Sequence, residues 1–303
     1  MSERGSACIA ITGASGLIGS ALSRALLRDG YEVHPLVRTP HGAPGEIPWD
    51  PAAGQIDGAA LEGFDAVIHL AGENIGQRWT PAVRERILES RVQGTQLLAG
   101  ALASLRHPPE VLVSASAVGY YGDCGDQPLD ESAPAGDDFL AEVTQAWEAA
   151  AKPAADAGIR VVHPRSGMVL SPHGGALARM LPPFRFGVGG RMGHGRQWTS
   201  WIALDDEIAA IRFLVDTPTL AGPVNVTSPR PVTNAEFTRV LGRVLGRPTL
   251  FTVPAAALRL AFGEMADRTI LASQRARPAR LLDAGFHFRH PRLEDGLRAL
   301  LAP

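Results

Sequence analysis

Apolar positions along the 303-residue chain alternate between two patterns. Short apolar runs, Cys8 to Ile11, Ala66 to Leu70, Val111 to Ala115 and Arg160 to His163, have the length of strands buried on both faces, and Glu32 to Val37 reads as a further strand. Between them, helical spacing predicts helices from about Leu17 to Arg28, from Thr80 to about Ser104, and from Phe139 to Ala157. Pro81 stands in the first turn of the second helix, where its missing N–H costs nothing. Strand and helix alternate at least five times, which predicts an α/β fold with a doubly wound parallel sheet. Residues 39–63 are rich in Pro and Gly and predict an irregular edge around Ile47-Pro48-Trp49-Asp50.

After the Arg160 strand the pattern changes. Gly187 to Gly195 reads as a mobile loop, Trp198 to Ile202 as a short strand, and Asp205 as the N-cap of the next helix. Pro223 to Val226 is the expected last strand of the sheet, and Thr233 to Leu245 a helix capped by Gly246. Short helices follow, among them Ala255 to Phe262 and Leu293 to Leu301. The expected division is a main unit over 1–170 and 199–232, and a smaller, mainly helical lobe over 171–198 and 233–303.

Charge and composition narrow the partners. The net charge is −2 and no basic stripe runs along the chain, so a nucleic-acid role is not expected. No apolar run reaches the length of a membrane span, and the sequence enters its first strand without a secretory leader; a cytoplasmic protein is expected. Cys8 and Cys124, the two cysteines, read as free thiols. The nine histidines are scattered without short His or Cys spacing, so no metal is expected. No G-x-S-x-G elbow is present for a serine hydrolase.

The candidate chemistry gathers at strand ends. Gly13, Gly16 and Gly19 follow the first strand and open the first helix. In that context the first glycine permits a tight turn, the second a close backbone approach to a pyrophosphate, and the third close helix–strand packing. The helix N-terminus supplies free N–H groups to phosphate. Arg38 ends the second strand, where NAD-binding chains carry an acid for the ribose; its guanidinium fork suits a 2′-phosphate, which favours NADP(H). Small residues at Ala71 and Gly72 leave room for a cofactor across the sheet. His69, inside an apolar run, reads as a core histidine. A hydroxyl cluster, Ser114 to Gly122, stands where chemistry would sit.

These stretches together resemble an extended short-chain dehydrogenase/reductase. More narrowly, the chain is similar to the "epimerase family" branch of NAD(P)-dependent epimerase/dehydratase-like proteins. The likeness rests on TGASGLIG from Thr12, LAGENI from Leu70, SRVQGT from Ser90, ASAVGYYG from Ala115, FLAEVTQAWEAAA from Phe139 and RSGMVLS from Arg165. GGRMGHGRQWTSWIALDD from Gly189 and the stretch from Gly263 extend it over almost the whole chain. The resemblance implies a Rossmann domain for NADP(H) and a C-terminal lobe closing over a small substrate, with a sugar as the candidate class. It implies Gly13, Gly16, Leu17 and Ile18 at the phosphates and Arg38 at the 2′-phosphate. Leu70 and Ala71 would lie along the adenosine half, Arg91 near the phosphate–ribose region and Val169 at the nicotinamide. Ser15, Gly72 and Ser114 complete the expected cofactor set. Ala203 departs from the family, which commonly has histidine there.

The superfamily's catalytic Tyr and Lys, four apart on one helix face, are absent. Their positions fall on Leu140 and Thr144; the single lysine, Lys152, has Glu148 four residues before it. Two readings remain. In one, Ser116 orients a substrate oxygen, Tyr120 or Tyr121 supplies the proton and Arg165 assists, with Glu142 a further candidate, in an NADP(H)-dependent oxidoreductase or epimerase. In the other, the protein binds NADP(H) without turnover, as a sensor or scaffold. A monomer or homodimer is expected.

Overall fold

The computed structural model describes residues 7–302, so the first six positions and the last of the expected ranges lie outside it. The chain opens with strand β1 (Cys8–Thr12), helix α1 (Leu17–Arg28), β2 (Glu32–Val37), β3 (Ile47–Asp50), β4 (Gln55–Ile56) and β5 (Ala66–His69). Helix α2 (Pro81–Ala103) and β6 (Val111–Ser114) follow, then α3 (Phe139–Ala150), α4 (Lys152–Asp156) and β7 (Arg160–Ser166). Beyond them lie α5 (Gly175–Arg185), α6 (Leu204–Asp216), β8 (Gly222–Val226) and α7 (Asn234–Leu245). The sheet order is β8-β7-β6-β5-β1-β2-β3-β4, parallel throughout except for β4. A short strand, Ser116–Ala117, adds to β7.

Because parallel strands turn successive side chains to opposite faces, each strand feeds two cores. Ile9, Ile11, Ile68 and Val113 meet Leu22 and Leu26 of α1 and Ile208, Ile211 and Leu214 of α6. Ala10, Val67, Leu112 and Val161 face Leu98 and Leu102 of α2 and Ala154 of α4. The chain leaves β1 toward β2 on one side and returns to β5 on the other. The carboxyl ends of β1 and β5 therefore flank the point where strand order reverses, the usual place for a ligand crevice. A third core joins Leu177, Leu181 and Phe184 of α5, Phe237 and Leu241 of α7, Leu297 and Trp201.

Several expectations need correction. Ile47 to Asp50 is no irregular edge but strand β3, with Leu36 paired to Ile47. The helix expected to run to Ala157 stops at Ala150 and restarts at Lys152, because Pro153 cannot donate to the preceding turn. Asp205 is not an N-cap: α6 begins at Leu204 without any side-chain cap. Trp198 to Ile202 forms two strands, Trp198–Thr199 and Trp201–Ala203. The glycine-rich stretch is not a loose loop either. Gly190–Met192 pairs in parallel with Phe251–Val253, and the Met192 N–H donates to Asn234. A Cβ on Gly190 would collide with the Phe251 carbonyl, so glycine there serves close packing. Among the described residues no helix is long and apolar enough to cross a membrane.

Candidate functional site

The turn after β1 takes a left-handed step at Gly13, with φ +68°. A Cβ there would stand 2.9 Å from the Ala71 nitrogen, so two strand-end loops meet at a point only glycine fits. The Gly16 N–H donates to the Gly13 carbonyl at 3.0 Å, and a Cβ on Gly19 would collide with that same oxygen. Gly16 caps α1 without any side chain, and Ser15 and Gly16 are exposed. The first turn of α1 therefore offers backbone N–H groups outward, a cradle that fits a pyrophosphate. Ala14, Ile18, Leu70 and Val169 sit half-buried on the core as an apolar floor beside it. Leu17 turns the other way, against Gly174 and Gly175. Arg38 is exposed at the end of β2 and has no side-chain partner among the described residues.

Thr12 ties the loops together. Its hydroxyl accepts from the N–H groups of Leu70 and Ala71 at 3.1 and 3.2 Å. With both lone pairs so used, its proton goes to His69 Nδ1 at 2.7 Å. Burial, with Arg91 adding to it, lowers the His69 pKa to about 4, so this is a neutral core histidine. Arg91 lies under the following loop. It donates to the Glu73 and Ile87 carbonyls, its guanidinium lies 4.9 Å from the Trp147 ring, and burial lowers its pKa to about 10. Ser90 accepts from the Glu73 N–H. The SRVQGT stretch thus grips the backbone of LAGENI, with Gly72 exposed above the Arg91 guanidinium. Ser114 lies fully buried beside His69, and its hydroxyl has no partner among the described residues.

The four candidate catalytic residues come together, but around a residue that sequence reasoning passed over. Arg165 makes a two-pronged bond to Glu148, at 2.8 and 2.9 Å, with 3% and 14% side-chain exposure. Ser116 donates to the same carboxylate at 2.7 Å. Tyr121 accepts from Arg165 at 3.2 Å and donates to Asn225 at 2.7 Å. Its ring is 1% exposed, and burial pushes its pKa up to about 12. The Tyr120 ring covers the Arg165 guanidinium at 3.4 Å. The polar groups of Ser116, Glu148, Arg165 and Tyr121 are each engaged with another of the cluster, an arrangement that makes a rigid wall more readily than a proton donor, whereas Tyr120 takes part through its ring.

Leu140 packs near Gly119, and the Thr144 hydroxyl bonds back to its own helix, so neither takes the missing catalyst's part. Glu142 is exposed in the first turn of α3, and Lys152 pairs with Asp156 at the surface. The signal for Glu148 was its spacing. Leu140, Thr144 and Glu148 lie four apart and share one helix face.

A second carboxyl lies on the other side of β7. Glu207, in the first turn of α6, is 1% exposed, accepts from Ser166 at 2.6 Å, and is raised by burial to about pKa 7. No sequence pattern marked it. Away from the crevice, parallel pairing brings Cys8, Glu32 and His34 within 4.8 Å of one another. The Cys8 thiol donates to Glu32 at 3.4 Å, and burial raises its pKa.

Comparison with known proteins supplies the relationship. The family model described as "NAD dependent epimerase/dehydratase family" matches residues 9–227, and a domain of unknown function (DUF1731) matches 253–300. An epimerase family protein of Mycobacterium bovis is 47% identical, covering 96% of each chain. The crystal structure of human epimerase family protein SDR39U1 (isoform 2), solved with NADPH, is 36% identical with a TM-score of 0.89, covering 97% of this chain and 98% of that one. A nucleoside-diphosphate sugar epimerase from Corynebacterium glutamicum is 38% identical with a TM-score of 0.80, covering 97% of this chain and 58% of that longer one. With the family model matching most of the chain and relatives matching it over nearly its full length, this chain belongs to the NAD-dependent epimerase/dehydratase family.

Proposed function

We propose that the protein binds NADP(H) across the carboxyl ends of β1, β2 and β5 and uses it for hydride transfer with a small, sugar-like substrate. Arg38 carries the choice of cofactor. It is an exposed guanidinium with no side-chain partner among the described residues, at the strand end where the adenosine ribose is expected, and a fork of donors suits a phosphate there. Gly13, Gly16 and the first turn of α1 would hold the pyrophosphate, and Ile18, Leu70 and Val169 would line the adenosine and nicotinamide contacts. The human relative's NADPH points the same way. When bound, the cofactor supplies or accepts the hydride. Arg165, Glu148, Ser116 and Tyr121 keep the crevice wall in place, and Tyr120 presents its ring to the substrate side.

A second reading has an observation of its own. The Ser116–Glu148–Arg165–Tyr121 network is satisfied internally, which favours a protein that binds NADP(H) and turns nothing over. Titration with NADPH and NADH, wild type beside Arg38→Ala, tests the cofactor. The expected result is preference for NADPH, reduced at least tenfold in the variant. Equal affinities unchanged by the substitution would make Arg38 a surface residue. Substrate-dependent change in nicotinamide absorbance then separates enzyme from silent binder.

A further inference from the structure

Ser166 and Glu207 stand apart from every other polar group near the crevice. Ser166 is the last residue of β7, half-buried at the carboxyl edge of the sheet and three residues before Val169. Its hydroxyl donates to Glu207 Oε1 at 2.6 Å, and Glu207 Oε2 is fully buried without a partner among the described residues. A buried carboxylate with one hydrogen bond is costly to ionise. Burial pushes Glu207 up to about pKa 7, while the Ser166 bond pulls the other way. The N-terminal turn of α6 also favours the charged form. Near neutral pH the group can therefore exist in either state.

Among the described residues no ion pair fixes that state. On α6 itself, Asp206 accepts from the backbone of Arg289 and His290, Asp205 is exposed, and Arg212 pairs with Asp29 beyond the end of α1. On β7, Arg165 is neutralised by Glu148 and His163 faces the Ser114 carbonyl. None of these charges contributes to the Glu207 shift, which comes from burial and Ser166 alone.

We propose that Ser166 and Glu207 form a proton-holding pair whose state follows the charge of the nicotinamide. With the positively charged oxidised cofactor bound, Glu207 would give up its carboxyl proton; with the neutral reduced ring it would keep it. The Oε1–H bond of the carboxyl would break with its electron pair staying on Glu207; Ser166 Oγ would take that proton and pass its own to solvent or to an acceptor in the crevice, leaving the Ser166 hydroxyl donating to the carboxylate. A reduction would then find a proton released from the protein in the same half-reaction that needs one on the new alkoxide. That is a substitute for the missing Tyr–Lys pair. The inference rests on the NADP(H) reading of the crevice.

The test needs no substrate. NADP+ and NADPH are titrated calorimetrically into the full chain at pH 7, each in Tris and in HEPES, and the buffer dependence of the heat gives the protons exchanged. The 2′-phosphate is common to both cofactors and cancels in the difference. A fall of about one unit in the Glu207 pKa releases roughly 0.4 proton more with NADP+ than with NADPH. Glu207→Gln should erase that difference while both cofactors still bind, and Ser166→Ala should move its pH of greatest size upward. Equal proton release by the two cofactors in the wild type overturns the inference, and so does a difference that survives in Glu207→Gln. If the variant fails to fold, the wild-type difference decides, together with loss of the protonated-carboxyl infrared band on adding NADP+. Failure of either cofactor to bind overturns the cofactor reading, and this inference with it.

Discussion

Two serine–glutamate pairs flank the end of β7: Ser116–Glu148, 2.7 Å long, on the short strand beside it, and Ser166–Glu207, 2.6 Å long, at its last residue. Arg165 and Ser166 are consecutive, so their side chains leave the sheet by opposite faces. On one face Arg165 meets Glu148 of α3, which also accepts from Ser116; on the other Ser166 meets Glu207 of α6. The first carboxylate has a guanidinium on it in fork geometry. The second has, among the described residues, a hydroxyl alone, and burial raises its pKa to about 7. The hydrogen bond is the same in both. What differs is whether a cation came with it, and that decides whether the carboxyl is a structural strut or a group free to titrate.

The largest effect should come from removing the strut. Glu148→Ala leaves Arg165 buried and unpaired, and should cost about 3–5 kcal/mol of unfolding free energy in urea denaturation. A loss under about 1 kcal/mol would mean that water or Tyr120 already compensates the guanidinium. Next comes Glu207→Gln, read against pH. The folded wild type keeps its Glu207 proton up to about pH 7, whereas the unfolded chain loses it near 4.5. Folded protein binds more protons in that window, so wild-type stability falls as pH rises from about 4.5 to 7 and the loss persists above it. Glu207→Gln should remove this slope and be more stable at pH 8 by about 2–3 kcal/mol. Parallel pH–stability curves for the two proteins would sink the distinction between the pairs. The smallest effect separates the serines. Ser116→Ala should cost about 1 kcal/mol at every pH, because Arg165 still holds Glu148. Ser166→Ala should instead shift the pH midpoint upward, since the lost bond was the one lowering the Glu207 pKa.

The sheet and the glycine cradle were legible because each depends on local pattern: Cys8 to Ile11 is apolar, and Gly13, Gly16 and Gly19 are spaced for one turn and one helix start. The hydroxyl cluster and Arg165 were legible as a neighbourhood, since both lie at the carboxyl ends of neighbouring strands. Their mutual saturation was not, because Glu148 reaches Ser116 across 32 residues and Arg165 across 17. Glu207 was hidden for a further reason. An acid in the first turn of a helix is ordinary, and only the packing of α6 on β7 makes this one buried. Glycine density misled at Gly187 to Gly195, where a stretch that reads as freedom is close contact with Phe251.

That contact sets a schedule for biosynthesis. Arg191 reaches Thr252 across 61 residues. At about 5–20 residues per second, a ribosome takes roughly 3–12 s to deliver the second strand after the first. Throughout that interval Gly190–Met192 is an unpaired edge beside the exposed Phe186 and Val188. The nascent chain can complete β8 and close its main sheet before this ladder exists. A chaperone that shields a short apolar edge, or slower passage through 190–250, would act on this stretch.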